Sequence, residues 1–512
     1  MKRIKNVAKL LIVLSLVGCA DVEDRATCEK SDESVVIEEK NEEKSETESS
    51  TLDNADEVLQ TETEITKESA TEEVLEYDLC GDILQISVDE EGLINLETDE
   101  SEYVELRNSL DHYNTTISED LKSLELQGME DAFSKVSIHR ADKHSLSFIA
   151  KNYMEDHVNG PKYLSFDTYN YETATGKLLA LEDVITQTEN INEIIKEQIN
   201  KYYSDKTLDE NFLDNILPEN GYKWVLSYQG ITFYFPSDIF GETETTPIPV
   251  SVLFKEKPDI FAECCKEVPQ AYVMDMDSKC QYLIDTDGDG DSEKVNTVYY
   301  VNDAEDITKS ELIIDDKTIT CNSYIGFYSR YCRTYFVHTA SDKNFMIVYM
   351  DTSHDITGEY VSVDVSVDYA EPVESEFIYL ADYRITDPYS IVNVVSQDPI
   401  RGMVSMKTVY ELYDNGEIKA GENTIYEYYD TKAEVLQDIE VSICDEITGM
   451  PTDEKDSIVK GEIIELIRTD YSSWCDVRKQ NGKLVRIAFE EPLSNWEQAK
   501  IKGEFIATWY IE

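Results

Sequence analysis

The chain has 512 residues and carries 107 acidic against 45 basic side chains, a formal net charge of −62. A charge of that sign and size repels nucleic acid and anionic headgroups alike, so nucleic-acid function is excluded. The length is ample for several folded regions, and the charge is spread unevenly along it.

Residues 1 to 19 read MKRIKNVAKLLIVLSLVGC. Lys2, Arg3, Lys5 and Lys9 form a cationic start, and Leu10 to Val17 form an apolar core of signal-peptide length. Leu16-Val17-Gly18-Cys19 resembles the bacterial lipobox. That resemblance implies cleavage before Cys19 and its diacylation with palmitate-type chains. A retained membrane helix is the alternative, but the apolar run is too short to span a bilayer. Two acyl chains anchor stably where one does not. The expectation is therefore a signal peptide over 1–18 and a lipid membrane partner held through acylated Cys19, on the outer face of the bacterial cell membrane. Residues 19–78 are dense in Glu, Asp, Ser and Thr, with almost no aromatic residue before Tyr77. Such a segment cannot bury enough apolar surface to offset its ordering entropy and is expected to be a disordered acidic tether. Its reach is roughly 40 Å, enough to lift the folded part into the cell wall.

Beyond Cys19 the chain has Cys28, Cys80, Cys264, Cys265, Cys280, Cys321, Cys332, Cys444 and Cys475, an odd number with no CxxC pair. The pattern fits neither a zinc site nor a regular disulfide framework, and the thiols are read as structural. Scattered thiols in an exported protein point to an anaerobic source, and a Gram-positive bacterium is the overall expectation.

Residues 79–275 form the first folded region. Asp82 to Val88 alternates like a strand, and Val104, Leu106, Leu110, Ile117, Leu121 and Leu124 recur at helical steps. Two strands follow around Arg140-Ala141-Asp142. The stretch from Tyr163 to Val184 reads as a strand, a Thr175-Gly176-Lys177 turn and a helix start at Glu182-Asp183. Ile191, Ile194, Ile195, Ile199 and Tyr202 mark an amphipathic helix. A short helix around Phe212 ends before Pro218. Strands are expected at Trp224–Leu226, Ile231–Phe235 and Ile248–Phe254. The order of elements predicts an α+β domain, an antiparallel sheet with packed helices.

The stretches SIHRADKHSLSF (137–148), FDTYNYETATGKLLALEDVI (166–185), WVLSYQGITFYFPSDIF (224–240) and IPVSVLF (248–254) resemble the RsiV-like extracellular domain of unknown function. In that family the domain occurs in an anti-sigma factor that acts as a lysozyme receptor, and upstream of some peptidoglycan deacetylases. The resemblance spans about 83 to 255 and implies an α+β fold with helices on an antiparallel sheet. The family's Gly-Gly-Ala-His-type turn is replaced by His157-Val158-Asn159-Gly160-Pro161, and no cytoplasmic segment with a transmembrane helix is seen, so the anti-sigma role is not transferred. No GxSxG, HExxH or P-loop is present. Phe166-Asp167 lacks the second aspartate of a deacetylase motif, and His112, His139, His144 and His157 read as isolated packing or surface residues.

Residues 276–432 contain Asp285-Thr286-Asp287-Gly288-Asp289-Gly290-Asp291-Ser292-Glu293 between two strands. Acidic side chains at alternate positions with Gly at the sixth wrap a short loop around a hard cation. The EF-hand Glu at position 12 is Asn296, and the loop instead resembles the calcium loop of β-hairpins in integrin-like propeller blades. On that resemblance Asp285, Asp287 and Asp289 give side-chain oxygens, Asp291 its carbonyl and Glu293 the closing carboxylate of a structural Ca2+ site of weak affinity, about 10⁻⁴ to 10⁻³ M. An acidic turn without metal is the alternative. Strands at 334–338, 345–349, 360–367, 404–413 and 424–429, the last two flanking an Asp414-Asn415-Gly416 turn, make an open or sandwich-like β domain. The 33 tyrosines suit half-buried strand faces or a glycan platform.

Residues 433–512 hold short strands with tight turns, ending at Phe505–Ile511, and resemble a small SH3-like barrel. Trp474 and Trp509 are core residues or wall-peptide contacts. The fold class is thus α+β multidomain, with two mostly β domains after the first. The expected function is non-catalytic binding or sensing at the envelope, of cell-wall glycan or a wall-active protein such as lysozyme. A wall-modifying enzyme with an acidic site is the alternative, and a structural lipoprotein is a third.

Overall fold

The computed structural model describes residues 83–506 apart from 90, 98–100, 127–131, 155–161, 205–220, 237–246, 277–280, 302–305, 329–331, 352–357, 368–370, 376–383, 396–399, 401–404, 422–423, 492, 494–498 and 502–503. Cys19 with its signal peptide, the tether, Cys28, Cys80, Cys280, the His157–Pro161 turn, the helix expected near Phe212 and Trp509 lie outside the described residues. Among the described residues no helix is long and apolar enough to cross a membrane.

A hairpin of β1 (Ile86–Val88) and β2 (Ile94–Leu96) and the helix α1 (Val104–Leu126) cover one face of an antiparallel sheet, β3 (Ala132–Ala141), β4 (Ser145–Met154) and β5 (Lys162–Glu172). Leu106, Leu110, Tyr113, Ile117 and Leu121 are the buried stripe of α1, at the three- and four-residue steps that define one helix face. After β5 the chain turns at Gly176, whose φ of 64° suits a residue without Cβ. A Cβ there would stand 2.3 Å from Glu105 O. Ser109 Oγ donates to Gly176 O at 2.7 Å, so this turn closes the sheet onto the first turns of α1.

A single helical turn, α2 (Leu181–Val184), leads to α3 (Ile191–Tyr202). The apolar face of α3 packs on a second antiparallel sheet, β6 (Trp224–Leu226), β7 (Gly230–Phe235) and β8 (Ile248–Leu253). The two three-stranded sheets are stitched by side chains. Asn170 on β5 donates Nδ2 to Trp224 O at 2.8 Å and accepts from Leu226 N at 2.9 Å, replacing a missing backbone ladder. Trp224 N donates to Thr168 Oγ1 at 3.1 Å. Ile149 and Phe166 meet Val225 and Tyr234 across the seam. Cover on both faces accounts for the near-continuous burial of β4, polar residues included.

Next come β9 (Tyr272–Met276), the meander β10 (Tyr282–Ile284), β11 (Glu293–Val301), β12 (Asp306–Ile314) and β13 (Lys317–Tyr328), then β14 (Arg333–His338), β15 (Asn344–Asp351), β16 (Gly358–Asp364) and β17 (Val373–Ser375). The meander is one sheet, and β17-β16-β15-β14-β9 is another. Met274, Tyr282, Val295, Leu312, Phe336, Met346, Val348 and Val361 form the core between them, which makes this part a sandwich. The opposite face of the five-stranded sheet, through Tyr335, Ile347 and Tyr349, packs on Ile391, Leu412 and Ile418.

Those last residues belong to a nine-stranded sheet: β18 (Ile391–Val395), β19 (Met406–Leu412), β20 (Ile418–Ala420), β21 (Tyr426–Glu434), β22 (Ile439–Cys444), β23 (Pro451–Ile458), β24 (Ile463–Thr469), β25 (Trp474–Lys479) and β26 (Leu484–Ala488). A two-stranded ribbon, β27 (Lys500–Ile501) and β28 (Glu504–Phe505), follows. The Asp414-Asn415-Gly416 turn pairs β19 with β20, whereas β21 meets β19 only at Met406 and Lys407 and then runs beside β24. The expected boundary at 432/433 falls inside β21, and that at 275/276 inside β9. Strands on both sides of residue 433 belong to one sheet. Among the described residues the helices cluster with the first two sheets and every strand pairing is antiparallel, an α+β beginning followed by mostly β structure.

Candidate metal centre

The loop between β10 and β11 is the most acidic turn among the described residues of the sandwich, and its flanking strands fix its mouth. Ile284 pairs with Glu293, Leu283 with Lys294 and Tyr282 with Val295. Within it, carboxylate oxygens of Asp285, Asp287 and Asp289 lie within 4.8 Å of one another. Asp287 and Asp289 are exposed, whereas Asp285 is only 3 % exposed. Backbone amides shape the turn: Asp289 N donates to Asp287 Oδ1 at 3.1 Å and Asp291 N to Asp289 Oδ1 at 2.8 Å.

The base of the loop is fastened from three directions. Gln229, in the β6–β7 turn, donates Nε2 to Asp285 O at 2.9 Å and accepts from Asp285 N at 3.1 Å. Asn344 on β15 donates Nδ2 to Thr286 O at 2.7 Å. From α3, Tyr202 OH accepts the Ser292 amide at 3.3 Å and donates to Glu256 at 2.9 Å. The loop therefore joins the α3/β6–β8 layer to the sandwich.

The five acidic residues of the motif are used differently. Asp285, Asp287 and Asp289 converge and can hold a metal ion. Asp291 turns its side chain outward to Lys201 at 3.3 Å. Glu293 accepts the amide and the hydroxyl of Thr286, both at 2.7 Å, and is not part of the convergent group. Burial raises the Glu293 pKa; the Thr286 bonds oppose that shift, and the charges of Asp287 and Asp285 add to it.

The donor set fits a hard cation, since only oxygens converge. A sharper sign is that Asp285 Oδ1 is buried with no hydrogen-bond partner. A buried carboxylate oxygen left without a donor is costly, and a cation is the group that would satisfy it. The other carboxylate oxygen, Oδ2, accepts from Lys255 Nζ at 2.8 Å, and the same ammonium donates to Gly288 O at 2.9 Å. Lys255, Gln229 and Asn344 lie far from the loop in sequence, and no local pattern announces them.

The remaining expected groups do not assemble. His112 is exposed on α1, whereas His139 is buried with Nε2 3.0 Å from Tyr234 OH. His144 Nε2 lies 3.6 Å from Glu267. Asp167 pairs with Lys223 at 3.0 Å. Cys265, Cys321, Cys332, Cys444 and Cys475 are buried thiols, and Cys264 is an exposed one. A separate open groove of about 560 Å³ lies over β19, lined by Lys407, Glu411, Tyr413, Thr424 and Glu427 among others.

No family model matches the chain, and no curated protein matches it. Among solved structures it is similar to a member of the DUF3298 family, which is RsiV-like, from Bacteroides fragilis. The identity is 13 %, the match covers 36 % of this chain and 92 % of that chain, and the TM-score is 0.23.

Proposed function

We propose that this chain is a lipid-anchored envelope protein that binds cell-wall glycan or a wall-active protein such as lysozyme without catalysing a reaction, and that its β10–β11 loop holds a structural calcium ion. The observation that carries the non-catalytic reading is the way its deeply buried aspartates are used. Asp142 sits 2.8 Å from Arg140, Asp275 3.7 Å from Arg384, and Asp285 2.8 Å from Lys255. Asp476 sits 3.0 Å from Arg468 and 2.6 Å from Arg486. Asp387 differs, with burial raising its pKa against the Tyr389 amide it accepts at 2.8 Å, but the four ion-paired aspartates set the pattern. Carboxylates neutralised in this way are structural, whereas acid–base chemistry needs two groups whose environments drive their pKa values apart in a shared cleft. Among the described residues the convergent carboxylates are those of the loop, where a cation suits them better than a substrate.

Calcium is the ion we assign, because an oxygen-only and largely solvent-open loop suits its radius and variable coordination better than the strict octahedron of magnesium. Asp285, Asp287 and Asp289 would hold it through side chains. Asp291 would contribute its carbonyl and Glu293 its carboxylate after release from Thr286. The ion would order the loop that Gln229 and Tyr202 tie to β6–β7 and α3 and that Asn344 ties to the sandwich. We assign ligand contact to the groove over β19, whose size matches a small-ligand site, whose Tyr413 ring suits the apolar face of a sugar and whose Glu411 and Glu427 carboxylates suit its hydroxyls.

The test is co-sedimentation of the purified full chain with wall sacculi, and capture on immobilised lysozyme, at low and at physiological salt with calcium present. Binding that persists at physiological salt, where charges beyond about 8 Å are screened, supports a specific receptor. Loss of that binding in Tyr413→Ala would locate the glycan contact. Binding that disappears with salt reduces the interaction to net charge and overturns the reading.

A further inference from the structure

We propose that Lys255 is a built-in counter-cation of the acidic loop: its ammonium and a divalent ion exclude one another, so this lysine sets the affinity of the site and holds the loop folded in the absence of metal. The inference rests on the metal reading of the loop given above and adds its regulation.

The geometry carries it. Lys255 leaves the end of β8 and places Nζ 2.8 Å from Asp285 Oδ2 and 2.9 Å from Gly288 O, among the oxygens of the loop. Its aliphatic stem passes over Gly290, where a Cβ would stand 3.7 Å from Lys255 Cδ. That is ordinary van der Waals contact, and it is the φ of 98° that favours glycine at this position. Asp285 cannot leave: it is 3 % exposed and held by Gln229 at both backbone groups. Lys255 can, since its side chain is 58 % exposed and a flexible four-carbon stem can swing the ammonium into water. One partner is fixed and the other movable, which is the arrangement an exchange of cations requires.

Two aspects show that Lys255 completes the site only in part. Asp285 Oδ1 has no hydrogen-bond partner, so one ammonium does not satisfy the carboxylate. Asp287 and Asp289 bring two further charges within 4.8 Å, and a single positive charge leaves the cluster net negative. A divalent ion neutralises more of it, but only after displacing a like charge from the same oxygens. Repulsion between a divalent ion and an ammonium a few ångströms away in a water-exposed site amounts to about a tenfold change in affinity or more. Lys201 is not equivalent. Its ammonium is shared between Glu256 at 2.7 Å and the outward-turned Asp291 at 3.3 Å.

The test compares the purified full chain with Lys255→Met, which keeps the stem over Gly290, and Lys255→Arg, which keeps the charge. Calcium binding is read by calorimetry, and thermal midpoints are read in chelator and in calcium. The expected result is about tenfold tighter calcium binding in Lys255→Met, a lower midpoint in chelator and a larger rise with calcium. Lys255→Arg should behave as the parent, and Lys201→Met should change affinity less. Calcium binding by Lys255→Met with none detected in the parent also supports the inference. Equal affinity in parent and Lys255→Met overturns it while leaving the metal site intact. No binding by either chain overturns both.

Discussion

Replacing Arg140 by Met should be among the most damaging single substitutions in the first half of the molecule. Arg140 is fully buried and places its guanidinium at a junction. Nε donates to Asp142 Oδ2 at 2.8 Å, one terminal nitrogen to Cys265 O and the other to Glu267 O, each at 2.7 Å. Asp142, also fully buried, uses Oδ1 to accept the His144 and Ser145 amides at 2.8 and 2.9 Å, which shapes the β3–β4 turn. Methionine fills similar space but strands a buried carboxylate and two carbonyls. Breaking a buried pair in this way costs about 3–5 kcal/mol. Each carbonyl adds about 1 kcal/mol, offset in part by relaxation and water entry. A loss of about 4 kcal/mol is expected in urea unfolding followed by near-UV circular dichroism. Adding Asp142→Asn removes the stranded charge, so the double variant should be less damaged than the sum of the single ones by about 2 kcal/mol. Arg140→Lys should be intermediate, because an ammonium cannot reproduce the planar fork. A loss below about 1 kcal/mol in Arg140→Met, or strict additivity with Asp142→Asn, would refute the reasoning.

Other substitutions test the seams. Asn170→Ala removes the two bonds its own side chain makes to β6 and leaves Trp224 O and Leu226 N unpaired; the expected loss is about 2–3 kcal/mol in the same assay. Gly176→Ala drives a Cβ into Glu105 O and should cost about 1–3 kcal/mol, with faster hydrogen exchange at the start of α1. His139 gives a pH signature. Burial, with a smaller contribution from the charge of Lys151, pushes its pKa down to about 3. The folded state keeps the ring neutral while the unfolded chain protonates it near 6.5, so this contribution to stability falls as pH drops below about 6.5 and continues to fall until about 3. Between pH 8 and pH 5 the loss from this residue is about 2 kcal/mol, and His139→Gln should flatten the pH dependence by that amount.

Periodic segments were legible in the sequence and long-range polar contacts were not. The stripes of α1 and α3, the strand–turn–helix from Lys162 to Val184 and the hairpin around the acidic loop follow from local apolar spacing and turn chemistry. Strand β23 reads PTDEKDSI and is exposed along most of its length, an edge strand guarded by charge that offers no alternation to detect. The β12–β13 turn is Asp315-Asp316, with Asp315 at φ 48°, in place of the Asn-Gly pair that marks a hairpin. An Asn-Gly signal was present at 415–416, yet the partner strand is the three-residue β20, too short to show in a pattern. At the loop, aspartates at alternate positions announced the convergent group. The departure of Glu293 to Thr286 and the arrival of Lys255, Gln229 and Asn344 depend on strands brought together only by folding. Asn170 and Thr168 look like a polar strand face and turn out to bridge two sheets.

The most direct measurement for the account is the thermal midpoint of the purified full chain in chelator and in about 10 mM calcium, beside the Asp285→Asn variant. With a dissociation constant near 10⁻⁴ M the ion adds about 2.7 kcal/mol, and the midpoint of the parent should rise by several degrees. Asp285→Asn should show no rise. A parent chain whose midpoint ignores calcium, or an Asp285→Asn variant that responds as the parent does, would contradict a cation held by Asp285, Asp287 and Asp289.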